Sequence, residues 1–388
     1  MDSQALQVLV VDDSALMRNL VSRIIDAEPD MQVAAKAMNG KFALTKLENL
    51  TPDVIILDLE MPEMNGVEFL KQRRNLNIDI PVIVLSAVAQ KGASITMEAL
   101  AAGAVDFIPK PTGQDPEEIR TIGSQLVELV RSYGIKQRKF KSGAPLGRKP
   151  LPTEGPTTSI QEPAKKRESV ARTLTDVTRD PSRQPTRNRK RTAQPGPLEL
   201  IAFGISTGGP NALRQVFSKF PSALKVPMLV VQHMPAGFTN EFAKSLDRIC
   251  PLEVKEAQDG DLIKPGRILI APGDYHLVVE KKSLGTIVRL DSSPSVSGHR
   301  PSADVLFESV AKTYGNRAMG IIMTGMGKDG ADKLGDIYEA GGYTLGQDQE
   351  SSVVYGMPRV AFEYGYVMEQ VSLDAMADRI SALVNELT

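Results

Sequence analysis

The apolar run Leu200-Ile201-Ala202-Phe203 leads into Gly204-Ile205-Ser206-Thr207-Gly208-Gly209-Pro210, where glycines surround a single serine. A buried strand ending in a tight glycine turn presents that hydroxyl at the carboxyl end of a sheet, the edge at which open α/β sheets bind ligands. The spacing Gly204-x-Ser206-x-Gly208 fits a nucleophile elbow, whose small neighbours allow the strained turn that exposes the serine oxygen. Two plainer readings stand beside it. Ser206 caps the helix that begins near Gly208, or the turn cradles a phosphate, although Ser206 holds the middle glycine position of a G-x-G-x-x-G pattern.

Acyl-transfer chemistry at Ser206 needs a base and an acid to orient it. The chain holds three histidines. His276 lies inside the alternating pattern Tyr275-His276-Leu277-Val278-Val279, as a structural or rim residue would, and His299 precedes Arg300-Pro301 just before a helix. His233 follows Met228-Leu229-Val230-Val231-Gln232, at the carboxyl end of the strand next in sequence to that of Ser206. Consecutive strands of such sheets are often neighbours, which brings His233 to the same edge. Asp329 follows the apolar run Met319–Thr324 within Gly325-Met326-Gly327-Lys328-Asp329-Gly330. It either caps the next helix or orients the base. The chain order Ser, His, Asp differs from the Ser, Asp, His order of α/β-hydrolases, so the G-x-S-x-G match is convergent.

A second group of reactive residues lies near the N-terminus. Asp12-Asp13 and Asp58 each end an apolar strand, and Ser86 and Lys110 end two more. Three carboxylates on one edge repel unless a cation joins them, and a hard, oxygen-preferring ion such as Mg²⁺ is the natural guest. Metal and lysine neutralise phosphoryl oxygens while a carboxylate attacks, which is phosphoryl-transfer chemistry.

The elements that must position these groups follow from hydrophobic periodicity. Over 1–135, short apolar runs at 7–11, 54–57, 82–85 and 105–108 alternate with helical patterns around 39–50, 66–75 and 92–102. With Leu16, Leu20, Ile24 and Ile25 at helical spacing after the first run and Asp115-Pro116-Glu117-Glu118 opening a last helix, the five helical patterns indicate five βα units and a parallel sheet covered on both faces. Residues 136–197 hold sixteen Lys/Arg against five Asp/Glu and nine prolines, with almost no aliphatic periodicity. Such a segment buries too little apolar area to order itself and reads as a basic, mostly disordered linker. Its run Arg187-Asn188-Arg189-Lys190-Arg191 attracts nucleic acid or an anionic surface, or simply flanks acidic domains. Over 198–388, strands near 199–204, 226–232, 252–256, 267–271, 276–280, 286–290, 318–323 and 342–346 and six helical patterns indicate a doubly wound parallel sheet with an antiparallel hairpin section.

Composition sets the outer limits. At 388 residues, two or three domains are expected. Hydrophobic content of 41% and charged content of 24% are those of a soluble globular chain. The net charge of -1 makes no general case for nucleic acid or membrane. Cys250 alone rules out an intramolecular disulfide and a cysteine-rich metal site, and reads as a half-buried structural thiol. No apolar run reaches the ~20 residues of a membrane span, and the N-terminus does not read as a signal peptide. A cytoplasmic location is the default.

Residues 1–130 resemble a response-regulator receiver domain, a flavodoxin-like fold. The likeness rests on Asp12-Asp13, Asp58-Leu59-Glu60-Met61-Pro62 with Gly66, Ser86-Ala87 and Lys110-Pro111. It implies that Asp58 takes a phosphoryl group from a histidine kinase, with Asp12, Asp13 and Asp58 holding Mg²⁺. It also implies that Ser86 and Lys110 contact the phosphoryl oxygens, that Phe107 is an aromatic switch, and that Lys110-Pro111 is a candidate cis bond. Residues 198–388 resemble the catalytic domain of the chemotaxis protein-glutamate methylesterases, the CheB family. The motifs are the Ser206 turn, Gln232-His233-Met234-Pro235 with Gly237-Phe238-Thr239, Ala271-Pro272-Gly273, His299-Arg300-Pro301-Ser302-Ala303-Asp304 and Thr324 to Ala331. Lys328 stands where members often carry asparagine. The resemblance implies hydrolysis of glutamate methyl esters on the cytoplasmic helices of chemoreceptors by Ser206, His233 and Asp329, with deamidation of receptor glutamines at the same site and no cofactor there. Backbone N–H groups of Thr207 and Met326 are the candidate oxyanion donors, and His299, Arg300 and Phe238 the candidate walls of a receptor groove. The rival expectation is a response regulator whose second half binds nucleic acid without catalysis. On the enzyme reading, the unphosphorylated receiver is expected to pack over the Ser206 edge and obstruct it.

Overall fold

The structure, a computed structural model, describes residues 5–87, 90–111, 116–141 and 190–388. The first unit follows the βα alternation: β1 (Leu6–Val11), α1 (Ala15–Asp26), β2 (Met31–Ala37), α2 (Gly40–Leu47), β3 (Val54–Asp58), α3 (Gly66–Asn75), β4 (Val82–Ser86), α4 (Gln90–Ala101), β5 (Asp106–Pro109) and α5 (Pro116–Lys141). The strands form one parallel sheet in the order β2-β1-β3-β4-β5. β3 and β4 are buried throughout, as expected of central strands covered by helices on both faces. Every strand therefore releases its last residue at one edge, where Asp12, Asp58, Ser86 and Lys110 collect.

The second unit contains β6 (Leu200–Ile205), α6 (Gly209–Phe217), β7 (Met228–Gln232), α7 (Phe238–Asp247), β8 (Glu253–Glu256), β9 (Arg267–Ile270), β10 (His276–Lys282), β11 (Gly285–Asp291), α8 (Ala303–Tyr314), β12 (Ala318–Ile322), α9 (Ala331–Glu339), β13 (Tyr343–Gln347), α10 (Met357–Glu363), β14 (Glu369–Val371) and α11 (Leu373–Leu387). Seven strands form a parallel sheet in the order β14-β13-β12-β6-β7-β9-β8, and β10 and β11 stand apart as an antiparallel hairpin. β6 lies at the centre with β12 and β7 on either side. The chain order reverses direction there, and such a switch point opens a crevice at the carboxyl edge. The hairpin packs on α8, which in turn lies against β6.

Several expectations from the sequence shift. The first unit does not end at 135: α5 continues to Lys141, held by Arg138 on Asp53 at 2.7 Å. Thr192 already bonds the backbone of Glu339, ahead of the expected start at 198. The intervening residues 142–189 and the expected helix cap Asp115 lie outside the described residues. The edge strand β14 has three residues, too few to show a period of two. The Lys110–Pro111 bond is trans, and the cis bond among the described residues is Arg300–Pro301. Lys110 reaches both carboxylates of its site from the trans backbone. Cys250 is buried in the core, and burial pushes its thiol up.

The two units are in contact, with β5 and α5 of the first facing the Ser206 edge of the second. Phe107 stacks on Phe238 with centroids 5.1 Å apart and 11° between planes. Gly208 N–H donates to Asp106 Oδ2 at 2.7 Å. Lys136 Nζ donates to the carbonyls of Ser351 and Ser352, and Val353 packs against the core of the first unit.

Candidate active site

Ser206 follows the last residue of β6. Its N–H donates to Thr324 O at 3.0 Å, and His233 N–H donates to Ile205 O at 3.1 Å. The ends of β12, β6 and β7 are thus stitched side by side. Gln232 Nε2 adds bonds to the carbonyls of Ser206 and His233. The turn after Ser206 needs Gly208 at φ 78°, a left-handed conformation that side chains disfavour. Gly208 is also the N-cap of α6, which has no side-chain cap bond. Ser206 is therefore not spent on capping. Opposite it, a Cβ on Gly325 would lie 2.9 Å from Ser206 Cβ, so the Thr324–Gly327 loop approaches the serine as only a glycine permits.

His233 Nε2 and Asp329 Oδ2 are 2.8 Å apart. Asp329 is 1% exposed, and it does not cap α9, whose N-cap is Gly330. It sits instead at the start of α8, accepting from Ser302 Oγ at 2.6 Å, Ala303 N at 2.6 Å and Asp304 N at 3.3 Å. Burial works to raise this carboxyl. The bond and charge of His233, with the donors of Ser302 and Ala303, overcome it and hold the group below the usual carboxylate range. A helix N-terminus favours the anion in the same direction. Asp304 next to it goes the other way, pushed up to about 7 by burial and then by the charge of Asp329.

With Nε2 engaged by Asp329, Nδ1 of His233 is the nitrogen left over, buried and without a partner. Ser206 and His233 line one cavity of about 310 Å³, and no direct bond joins them in this closed arrangement. Catalytic hydrogen bonds commonly tighten only once substrate is bound. Thr207 and Met326 line the same cavity, as do His299 and Arg300. Phe238 does not face it; it is fully buried under Phe107. His276, also fully buried, accepts from Ser302 N and donates to Pro294 O, which makes it a brace for the start of α8.

Sequence reasoning expected the first unit over the Ser206 edge but missed the residues that close the cavity. Asp106, Phe107, Gln125 and Glu128 of the first unit form its other wall. Asp106 is pushed up to about 7 by burial, against the two backbone N–H groups that it accepts. It also missed the partner of His233: the ring of His299 lies on it, centroids 3.7 Å apart and planes within 12°. No local pattern signals either contact, because each joins residues far apart in sequence.

At the first unit's edge, carboxylate oxygens of Asp12, Asp13 and Asp58 lie within 4.8 Å of one another. Lys110 Nζ is 3.1 Å from Asp12 and 2.8 Å from Asp58. Burial raises the Asp58 carboxyl against the pull of Lys110. The Lys110 ammonium stays above its usual value because the two carboxylates outweigh its own burial. Ser86 lines this cavity too, but its hydroxyl is paired with Thr96. Three clustered carboxylates offer hard oxygen donors of the kind that Mg²⁺ takes.

The family model of the response regulator receiver domain matches residues 8–122, and that of the CheB methylesterase matches residues 201–380. The second match disfavours a nucleic-acid-binding output. The chain is 54% identical to a protein-glutamate methylesterase/protein-glutamine glutaminase of Treponema denticola, over 97% of both chains. It is 49% identical to the protein of the same name from Treponema pallidum, over 96% of each. A crystal structure of the Thermotoga maritima CheB methylesterase catalytic domain is similar at 36% identity and a TM-score of 0.47, covering 48% of this chain and 99% of that one. The chain belongs to the CheB family of protein-glutamate methylesterases that carry a response-regulator receiver domain.

Proposed function

We propose that this chain is a phosphorylation-activated protein-glutamate methylesterase that hydrolyses glutamate methyl esters on the cytoplasmic helices of chemoreceptors. The observation that carries the reading is that Ser206 and His233, the latter paired with Asp329, line one cavity at one sheet edge. Ser206 Oγ attacks the ester carbonyl as its proton passes to His233 Nδ1. Asp329 holds the ring through Nε2 and stabilises the imidazolium. The thereby protonated His233 gives its proton to the departing methoxide, so methanol leaves an acyl-serine. Water, deprotonated by the same nitrogen, then releases glutamate and restores the serine. Thr207 and Met326 are assigned as backbone N–H donors to the oxyanion. A glutamine side chain presents the same acyl centre with ammonia as leaving group, so deamidation belongs to the same site.

The unit that ends with α5 at Lys141 serves as the receiver, the unit that carries β6 to α11 as the catalytic domain, and the stretch between them as the linker. Asp58 accepts a phosphoryl group from a histidine kinase, while Asp12, Asp13 and Asp58 hold Mg²⁺, which when bound neutralises phosphoryl oxygens. Lys110 and Ser86 contact those oxygens once Ser86 leaves Thr96, and Phe107 follows. The protein works in the cytoplasm beside the receptor tails. No described helix is long and apolar enough to cross a membrane. Methanol release from methylated receptor membranes, with and without a small-molecule phosphodonor, tests the reading. Ser206→Ala and His233→Ala should abolish release and leave Asp58 phosphorylation intact. Turnover retained in either variant refutes it.

A further inference from the structure

We infer that His299 is a positioning residue for the catalytic imidazole, its ring fixing the plane of His233 and so the direction of Nδ1. The inference rests on the reading of His233 as the general base. A histidine held only through Nε2 can still swing about that bond, and Nδ1 swings with it. Asp329 supplies that one side-chain bond. The face of the ring is held instead by His299, stacked with centroids 3.7 Å apart and planes within 12°.

His299 is itself firmly mounted. Val296 and His299 exchange both backbone bonds, at 3.0 and 2.9 Å, across a turn whose central Ser297 and Gly298 have φ 54° and 81°. Positive φ at both central residues is the type I′ arrangement, which closes a hairpin tightly. The next residue, Arg300, turns its guanidinium onto the carbonyls of Ser292 and Ser293, and its own carbonyl accepts from Asp274 N. Two residues further on, Ser302 bonds Asp329. The carboxylate that holds the edge of His233 and the ring that holds its face are thus both tied to one short stretch, 299–303.

The charge on His299 matters as well. The groups facing it are His233 and Asp329. Arg300, Asp106 and Glu128 line the same cavity. Burial, and then the neighbouring His233, push His299 down to about 4. At neutral pH it is an uncharged aromatic face, which accommodates the imidazolium that forms on His233. A cation there would oppose it.

The test compares His299→Ala, His299→Gln and His299→Phe in the full chain activated with phosphodonor, on methylated receptor membranes. Misplacing a catalytic group by an ångström costs on the order of 10²-fold. His299→Ala and His299→Gln should lower kcat by about 10–100-fold with KM little changed, and should displace the acidic limb of the pH–rate profile. His299→Phe keeps a flat ring and should restore both. In a Ser206→Ala background, NMR titration of the His233 ring should shift with His299→Gln but not with His299→Phe. That measurement stands whether or not turnover survives. Parental kcat and acidic limb in His299→Gln overturn the inference, as does a phenylalanine variant no better than the glutamine one. If His233→Ala retains activity, the general-base reading fails. If His233→Ala is dead while His299→Gln is normal, only the inference about His299 fails.

Discussion

Phe107→Ala in the full, unphosphorylated chain should release the catalytic edge without any phosphodonor. Phe107 is half-buried and stacks on the fully buried Phe238 across the contact between the two units. Burying a whole phenylalanine is worth about 1.5–3 kcal/mol, so a half-buried ring contributes roughly 1 kcal/mol. The stacked pair adds roughly 1 kcal/mol more. Truncation therefore weakens docking by about 2 kcal/mol, which lowers the closed-to-open ratio about 30-fold. Methanol release by unphosphorylated Phe107→Ala should rise by up to about 30-fold, saturating at the level of the phosphorylated parent if the parent's closed state is less favoured than that. Circular dichroism and Asp58 phosphorylation serve as controls for folding. If release stays within about two-fold of the unphosphorylated parent while the phosphodonor still stimulates both proteins strongly, then the ring stack does not hold the receiver over the site.

The carboxyl of Asp106 gives this docking a pH dependence. Its pKa is raised to about 7 in the docked state, so the protonated form favours docking, fully below the ordinary carboxylate range and progressively less as pH rises through 7. Basal activity relative to phosphorylated activity should therefore climb between pH 6 and 8, and Asp106→Ala should flatten that ratio. Lys136, held at about 8 by burial, acts in the opposite sense at higher pH, so a ratio still climbing in Asp106→Ala over the lower window would refute the assignment. Asp329→Asn should cost about 10³–10⁴-fold in kcat. Because the same carboxylate receives the N–H groups at the start of α8, it should also lower the melting temperature by a few degrees, ~2–4 °C per kcal/mol of lost capping; an unchanged melting curve would refute the capping role. Chelation with EDTA should abolish stimulation by phosphodonor and leave basal methanol release unchanged, and loss of basal release would place a metal in the esterase site instead.

The strand ends were legible in sequence because an apolar run stopping at a polar residue carries both the element and its edge. That is why Asp12, Asp58, Ser206, His233 and Asp329 were found at the sheet edges where they lie. What each one bonds was not legible. Asp329 sits before α9 in sequence but caps α8, and Ser206 precedes α6 without capping it. Both choices are made by packing between strands rather than by neighbours along the chain. Long-range partners such as His299 on His233 and Asp106 on Gly208 leave no periodicity at all. The three-residue β14 fails for a simpler reason, since alternation cannot be read from so few positions.

Lys110, beside Asp12 and Asp58, and Asp106 and Phe107, on the wall of the Ser206 cavity, sit on one short extended segment of a few residues. At ~3.3 Å of rise per residue, the two sites are separated by little more than ~13 Å of backbone. Transmission over that span calls for no relay through the protein interior: a slide or twist of a single ribbon moves both ends together. That ribbon would therefore tolerate almost no insertion.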